Sequence, residues 1–475
     1  MIGKKIFITL TTLSLVACSM APTYTRPTSP VPAEWPKGVA YKEDKAAPEA
    51  PKVTEQGWQK YFTDGRLQKV ITMALENNRD LRIAVLNVER ARAVYGVQRA
   101  ELFPTLNAVG VMNRERVPVD LSTTGKSYNS DYYSVDLGVL SWEIDFFGRI
   151  RSLKDNALEQ YFATEHARRG AQISLISSVA GTYLVLAADQ ENLKLAQASL
   201  TAQQATYDLI KRRYDVGLTN EVDLSLVQTQ VDTARGNVAL FKRLAAQDEN
   251  TLNVLVGISV PDELLPLDLE GVTPLKEISP GLSSEVLLHR PDILAAEHQL
   301  KAVNANIGAA RAAFFPRISL TSTVGTGSYE LSRLFQAGSS AWSFAPQIIM
   351  PIFDARLWSA LKGTKVEREI AVAQYEKAVQ VAFKEVADAL AQQGTVEDQM
   401  TAQESLVQAS ADAYRLTNAR YSNGIDSYLS VLDAQRSLYA AQQGLIGVRL
   451  ARLTNLVTLY KVLGGGDDTV SGISP

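Results

Sequence analysis

The feature that most constrains this chain is the length of its uninterrupted helical pattern. From Arg149 to Val216 there is no proline, and the lone glycines Gly170 and Gly181 leave the pattern intact. A helix over 149–216 would be a rod of about 100 Å, at ~1.5 Å per residue. Gly217 ends it, and Thr219 and Asn220 suit the cap of a second helix, read over 220–256 and closed by Gly257. The plan returns as a helix over 356–423, then Gly424, then a helix over 427–463. The two turns are alike, "RYDVGLTNEVDL" against "RYSNGIDSYLSV". The last helix shows a 3–4 spacing through Leu429, Leu432, Arg436, Tyr439, Gln443, Ile446, Leu450, Leu453, Val457 and Tyr460. That is a coiled-coil seam with polar interruptions at Arg436 and Gln443. Helices of this length exceed an ordinary globular domain and are expected to pack side by side as hairpins.

Ahead of each long helix lies the same junction. "QRAELFPTLNA" runs through Pro104 and "ARAAFFPRISL" through Pro316, each turning a helical pattern into an alternating one. Asp80, Ala84, Gly96 and Arg99 find their counterparts in Asp292, Ala296, Gly308 and Arg311. The chain therefore reads as a first repeat over 57–260, a linker over 261–280, a second repeat over 281–463 and a tail over 464–475. Each repeat has a leading helix, a β-hairpin (105–148 and 317–353) and a pair of long helices. In the hairpins Tyr133, Val135, Leu137 and Val139 alternate with Ser134, Asp136 and Gly138, and Trp342, Phe344 and Ile348 with Ser343, Ala345 and Gln347. One apolar face, one small-polar face and aromatic strand ends suit lipid-facing barrel strands; hairpins packed on a soluble core are the alternative. Four strands cannot close a barrel, since about eight is the small end. Open edges are not tolerated in lipid, so spanning strands would have to share one barrel among several copies.

The N-terminus reads "MIGKKIFITLTTLSLVACS". Lys4 and Lys5 precede an apolar stretch from Ile6 to Val16 that is too short to span a bilayer, then Leu15-Val16-Ala17-Cys18. This looks like a bacterial lipobox: a signal peptide over 1–17, and a diacylglycerol and N-acyl lipid on Cys18, the chain's one cysteine. An ordinary signal peptide with an incidental cysteine is the alternative. Residues 19–56 hold about seven of the 18 prolines, so 18–56 reads as an extended, lipid-anchored tether without its own core. No later segment reads as having the ~20 apolar residues of a membrane-spanning helix.

A net charge of −3 gives no global basic field to recruit nucleic acid. His166, His289 and His298 lack ligand spacing, so no metal site is expected. No phosphate loop or nucleophile elbow appears, which argues against catalysis.

Taken together, "SWEIDFFGRIRS", "LLHRPDILAAEHQLKAVNANIGAARAAFFPRISLT", "RYSNGIDSYLSVLDAQRSLYAAQQ" and "LYKVLGGG" resemble the TolC/OprM family of outer-membrane efflux proteins, in its lipoprotein branch. The resemblance covers nearly all of the chain after Cys18. It implies an α+β membrane protein: a homotrimer with a 12-stranded β-barrel, four strands per chain, continuous with a long α-helical coiled-coil barrel. It also implies a passive duct from the periplasm through the outer membrane, working with a periplasmic adaptor (membrane fusion) protein and an inner-membrane RND-type pump. The hairpin tips at Gly217 and Gly424 would meet the adaptor. Leu429 and Asp433 match ring positions of the periplasmic constriction, and Tyr421, Asp426 and Arg436 are candidates for tip contacts. The sequence departs from relatives that carry an aspartate at the position of Ser430, and from TolC, which has an arginine near the place of Asp426. A lipid-anchored coiled-coil scaffold or adaptor without a pore is the competing reading, though the small β-sandwich or lipoyl-like domains expected of an adaptor are not apparent. Within the duct reading, metal efflux and protein secretion compete with drug export; no Met/His clustering points to soft metals.

Replacing Cys18 by serine should abolish palmitate incorporation while leaving assembly intact, because a closed barrel holds a membrane without acyl chains. Metabolic labelling followed by gel fluorography reads the outcome, and undiminished label would remove the lipobox.

Overall fold

The computed structural model describes residues 20–41, 57–272 and 283–465. The expected signal peptide, Cys18, residues 42–56, part of the linker and most of the tail lie outside the described residues. In chain order the helices are α1 (Trp58–Tyr61), α2 (Gly65–Asn77), α3 (Arg79–Ala100), α4 (Arg149–Asp215), α5 (Glu221–Val256), α6 (Pro291–Ala312), α7 (Ala355–Ser422) and α8 (Tyr428–Val462). The strands are β1 (Leu106–Val117), β2 (Tyr128–Glu143), β3 (Arg317–Ser328) and β4 (Ser340–Ile349). The chain divides into two compact units, one from Met1–Pro27, Val88–Thr164 and Ala296–Tyr375, the other from Thr28–Asn87, Glu165–Ala295 and Glu376–Pro475.

The first unit holds the sheet. Its strands pair antiparallel in the order β1-β2-β3-β4, so β1 and β4 are edges within the described chain. The register aligns residues in rows across the four strands. Ala108, Leu137, Val324 and Trp342 form one row, and Leu106, Val139, Ser322 and Phe344 another on the same face. Between them run Asn107, Gly138, Thr323 and Ser343 on the opposite face, where the Thr323 and Ser343 hydroxyls meet at 2.7 Å. The apolar face is bare: Trp342 is 78% exposed. On β1 it ends where Arg114 pairs across the strand with Asp131, Nε to Oδ1 at 2.5 Å.

Two glycines let β2 and β3 approach. A Cβ on Gly138 would stand 2.2 Å from the Ser322 carbonyl oxygen, and one on Gly325 would stand 2.2 Å from that of Val135. Beyond Val139 the register slips by one residue, and Ser141 takes a left-handed φ of 57°. Its N–H donates to Thr321 Oγ1 at 3.3 Å, which staples the bulge to β3.

The exit from β2 into α4 explains "SWEIDFFGRIRS". The Glu143 carboxylate accepts two hydrogen bonds from Arg149, both at 2.8 Å, and a further one from Arg317 at the start of β3. Asp145 Oδ2 accepts from the Arg151 N–H at 2.9 Å and from its guanidinium at 3.2 Å. The matching exit from β4 is pinned by Asp354, which accepts from Arg356 N–H and guanidinium at 3.0 and 2.8 Å.

The second unit is helical. Ile176, Val179, Ala180, Tyr183, Leu184 and Ala187 of α4 are fully buried. This corrects one expectation: α4 carries an 18-residue window of mean hydropathy 1.5, apolar enough to cross a membrane by composition. Its side chains supply the unit's core, and 61% of the window is buried in protein. Tyr460 of α8 stacks on Tyr61 at 5.1 Å and meets Phe62 edge-on at 5.2 Å. The α5 helix ends at Gly257, φ 84°, whose missing Cβ would lie 2.5 Å from the Asn77 carbonyl oxygen. Buried Arg290 donates to Asp292, to Glu385 and to the last-turn carbonyl of Val462 in α8.

Over the described residues 20–41 the proline-rich stretch has no helix or strand, and it lies against the body rather than hanging free. In the second unit the Ala33 carbonyl accepts from the Ser284 N–H at 2.8 Å, the Pro32 carbonyl accepts from the Ser284 hydroxyl at 2.6 Å, and Trp35 stacks on Phe383 at 5.2 Å. Prolines keep the segment extended and leave its carbonyls free to accept.

Asp189 of α4 and Asp248 of α5 are two partly buried acids that interact with one another, and burial raises both carboxyls above their ordinary range. Burial and the neighbouring Asp189 charge push Asp248 up to about 6. The folded state therefore holds a proton that an unfolded chain releases near the ordinary 3.8, and this stabilisation is fully present below that pH and lost as pH rises through about 6. Asp248→Asn should flatten the fall in thermal midpoint across that window and raise the midpoint at neutral pH; a thermal series across pH tests both.

Candidate functional site: the paired helix turns

The candidate site lies in the second unit, where α4 turns into α5 and α7 into α8. Both turns are built alike. Gly217 has φ 73° and Gly424 φ 72°. After α4, the Gly217 N–H donates to the Tyr214 carbonyl at 2.9 Å and the Leu218 N–H to that of Arg213 at 2.8 Å. After α7, the Gly424 N–H donates to Tyr421 at 2.9 Å and the Ile425 N–H to Arg420 at 3.0 Å. This double closure satisfies orphan carbonyls at each helix end and requires a residue that accepts left-handed φ. Asn220 then caps α5, accepting from the Asp223 N–H at 2.9 Å.

Beneath the turns Ile210, Val227, Tyr428, Val431 and Leu432 form a buried cluster, with Tyr207, Tyr414 and Tyr421 packed against it. The Tyr421 and Tyr428 rings lie 5.2 Å apart. Arg213 stands over the Tyr421 ring at 5.7 Å and donates to its hydroxyl at 3.4 Å. Burial raises the Tyr421 phenol above its ordinary range, opposed by the Arg213 charge. Asp426 is engaged by Arg420, which donates from Nε at 2.6 Å and Nη2 at 3.1 Å and holds its carboxyl below the usual range. Arg420 and Arg213 were not singled out from the sequence. Their signal was available, since each precedes a Tyr in the repeated turn: "RRYDVG" and "ARYSNG".

The structure splits the expected residues into two groups. Tyr421 and Asp426 belong to the turn and its core. Leu429 is 54% exposed, and Asp433, one turn further along α8, is exposed on the same side. Leu429 therefore does not lie on the seam read from the 3–4 spacing; Tyr428 and Val431 join Leu432 there instead. The cause is geometric: at this end α8 packs against Ile210 of α4 and Val227 of α5, so its buried stripe is rotated. Arg436, the candidate neighbour for Asp433, turns toward α5 and donates to Gln230 at 3.3 Å. Among the described residues Asp433 has no ion pair, and no group of acidic, His or Cys side chains is arranged to hold a metal.

Gly424→Ala forces a side chain into left-handed φ at a cost of about 1–2 kcal/mol. Amide exchange at residues 424–425 should then rise by about five- to thirtyfold. Hydrogen-exchange mass spectrometry reads it, with Gly217→Ala giving the same result at the other turn.

Comparison with known proteins agrees with this architecture. The profile of the outer membrane efflux protein family matches two segments, residues 70–258 and 282–465. The chain is 48% identical to the antibiotic efflux pump outer membrane protein ArpC of Pseudomonas putida, across 97% of this chain and 95% of that one. It is equally similar, 48% over 97% and 95%, to the toluene efflux pump outer membrane protein TtgC of Pseudomonas putida. Among solved structures, the open state of the Neisseria gonorrhoeae MtrE outer membrane channel superposes with a TM-score of 0.84 at 38% identity, covering 94% of this chain and 98% of that chain. The family match falls on the two stretches that each carry a leading helix, a strand pair and a glycine-turned helix pair, and the chain belongs to the outer membrane efflux protein family.

Proposed function

We propose that this protein is the outer-membrane channel of a tripartite efflux system, a passive duct for drugs and other small molecules energised by an inner-membrane pump of the RND type through a periplasmic adaptor. The observation that carries this reading is the sheet. Two mainly apolar rows flank a small-polar one across all four strands, while β1 and β4 stay open within the described chain. An apolar face suits lipid and a small-polar face suits a wet lumen, and the outward β1 residues Leu106 to Met112 span about 20 Å before the Arg114–Asp131 pair. The open edges call for further copies, and three chains of four strands make a 12-stranded barrel. The long helices would continue as a coiled-coil barrel through the periplasm.

The chemistry asked of such a duct is passage, not catalysis. Similarity of equal strength to relatives named for antibiotic and for toluene efflux supports a broad range of small organic cargo rather than one substrate. The diacylglycerol and N-acyl lipid on Cys18 would add a membrane anchor. The tips at Gly217 and Gly424, with exposed Leu218 and Ile425, offer the adaptor an apolar contact.

Leu429 and Asp433 would form the constriction. They point away from the protomer's own core, as residues facing copies of themselves across an axis must. Leu429 would seal sterically and Asp433 would set cation preference. Single-channel recording in planar bilayers tests the function and the gate together. Purified wild-type protein should form cation-selective channels. Asp433→Ala should lose that selectivity, and Leu429→Ala should raise resting conductance and sensitise cells to large antibiotics. Absence of any conductance from correctly assembled protein would return the pore-free scaffold to first place.

A further inference from the structure

Within the first unit, residues 20–27 follow a single stripe of α6. Glu297, Lys301, Asn304, Gly308 and Arg311 are spaced four, three, four and three residues apart, so they share one face of the helix. The N-terminal segment runs antiparallel along that face and meets each position in turn. Arg26 Nη2 donates to Glu297 at 2.7 Å, and the Tyr24 hydroxyl donates to the same carboxylate at 3.2 Å. Lys301 also pairs with Glu297, at 3.1 Å, and stands 5.3 Å from the Tyr24 ring centroid. Asn304 Nδ2 donates to the Pro22 carbonyl at 2.7 Å. Gly308 leaves room for the backbone, since a Cβ there would lie 2.7 Å from the Ala21 nitrogen. Arg311 Nη1 donates to the Met20 carbonyl at 3.1 Å.

Glu297 is the hub of this seat. Its side chain is only 4% exposed. Burial alone would raise its carboxyl, but Arg26 and Lys301 outweigh burial and hold it below the usual range. A buried carboxylate must be paired, and here two of its partners, Arg26 and Tyr24, come from the strap itself. Among the described residues α3 of the first repeat carries no such seat. The positions of α3 that correspond to Gly308 and Glu297 are Gly96, with nothing within 4 Å of its missing Cβ, and Val85.

We propose that Met20–Pro27 is a keyed strap and that Glu297 is its positioning residue, fixing where the chain leaves α6 on its way to the N-terminal lipid site. The consequence for anchoring rests on the proposed lipidation of Cys18; the keyed seat does not. Only Ser19 separates Cys18 from Met20, a reach of at most about 7 Å over two peptide steps. With Met20 held on Arg311, close to the start of β3 at Arg317, the acyl chains would be delivered at that end of α6 and not at the end of a freely moving tether.

The test uses the full-length protein in detergent and limited chymotrypsin digestion after Tyr24, followed by intact-mass analysis. Cleavage needs the strap to leave its seat, so its rate tracks the open population. In wild type the bond should be protected. Glu297→Gln should speed cleavage by about tenfold or more, the effect of losing a charged hydrogen bond. Arg26→Ala, whose change lies on the strap and leaves α6 intact, carries the test if Glu297→Gln does not assemble. The double variant should be cleaved no faster than the quicker single one, because both changes break one interaction. Non-lipidated Cys18→Ser protein should keep the wild-type protection. Cleavage rates equal to wild type in both single variants would overturn the proposal. So would loss of protection in Cys18→Ser, which would mean that the lipid and not Glu297 seats the strap. Absence of lipid on wild-type protein with protection intact would remove only the anchoring consequence.

Discussion

The constraint on which the rest depends is the unpaired backbone at the edges of the sheet. Two central strands satisfy their N–H and C=O groups on both sides, whereas β1 and β4 each have one side open in the described chain. Water can serve such groups and a bilayer cannot. On the proposed reading the apolar rows headed by Trp342 and Phe344 commit the sheet to lipid. The open edges then commit it to other copies of itself. Oligomerisation in that case is not added to a finished fold; it completes the hydrogen bonding of the monomer.

A second consequence of the sheet is the traffic it forces at its base. Each strand pair must hand over to a long helix at a defined angle, and the chain does this with ion pairs placed at the handover. Glu143 joins α4 to β3 through Arg149 and Arg317, and Asp145 holds the first turn of α4. The second handover is simpler, with Asp354 and Arg356 alone. The repeats thus share topology while differing in how firmly each exit is braced.

Local chemistry made the elements legible. Proline-free runs ended by Gly217 and Gly424 place the helix ends within a residue of those seen, and strict alternation places the strands, because each depends on neighbours in sequence. Contacts distant in sequence were not legible. Nothing around Arg290 announces that it will bind the end of α8, and nothing in "MAPTYTRP" shows that it will be seated on Glu297. The same limit explains the misplaced seam. A 3–4 spacing identifies a stripe but not which helices cover it, and near the turn two neighbours rotate the buried face from Leu429 to Tyr428 and Val431. Of the candidate site, the turn glycines and Tyr421 were visible as repeats, while the pairing of Asp426 with Arg420 needed coordinates.

The twin turns also have a mechanical meaning. Each glycine is locked by two backbone hydrogen bonds, and the Arg420–Asp426 fork closes the second turn again from outside. Bending at such a joint has to break those bonds first. The buried cluster beneath the turns is close-packed around Tyr428 and Leu432, and such packing transmits strain instead of absorbing it, so turn and cluster form one stiff cap on the helical hairpins.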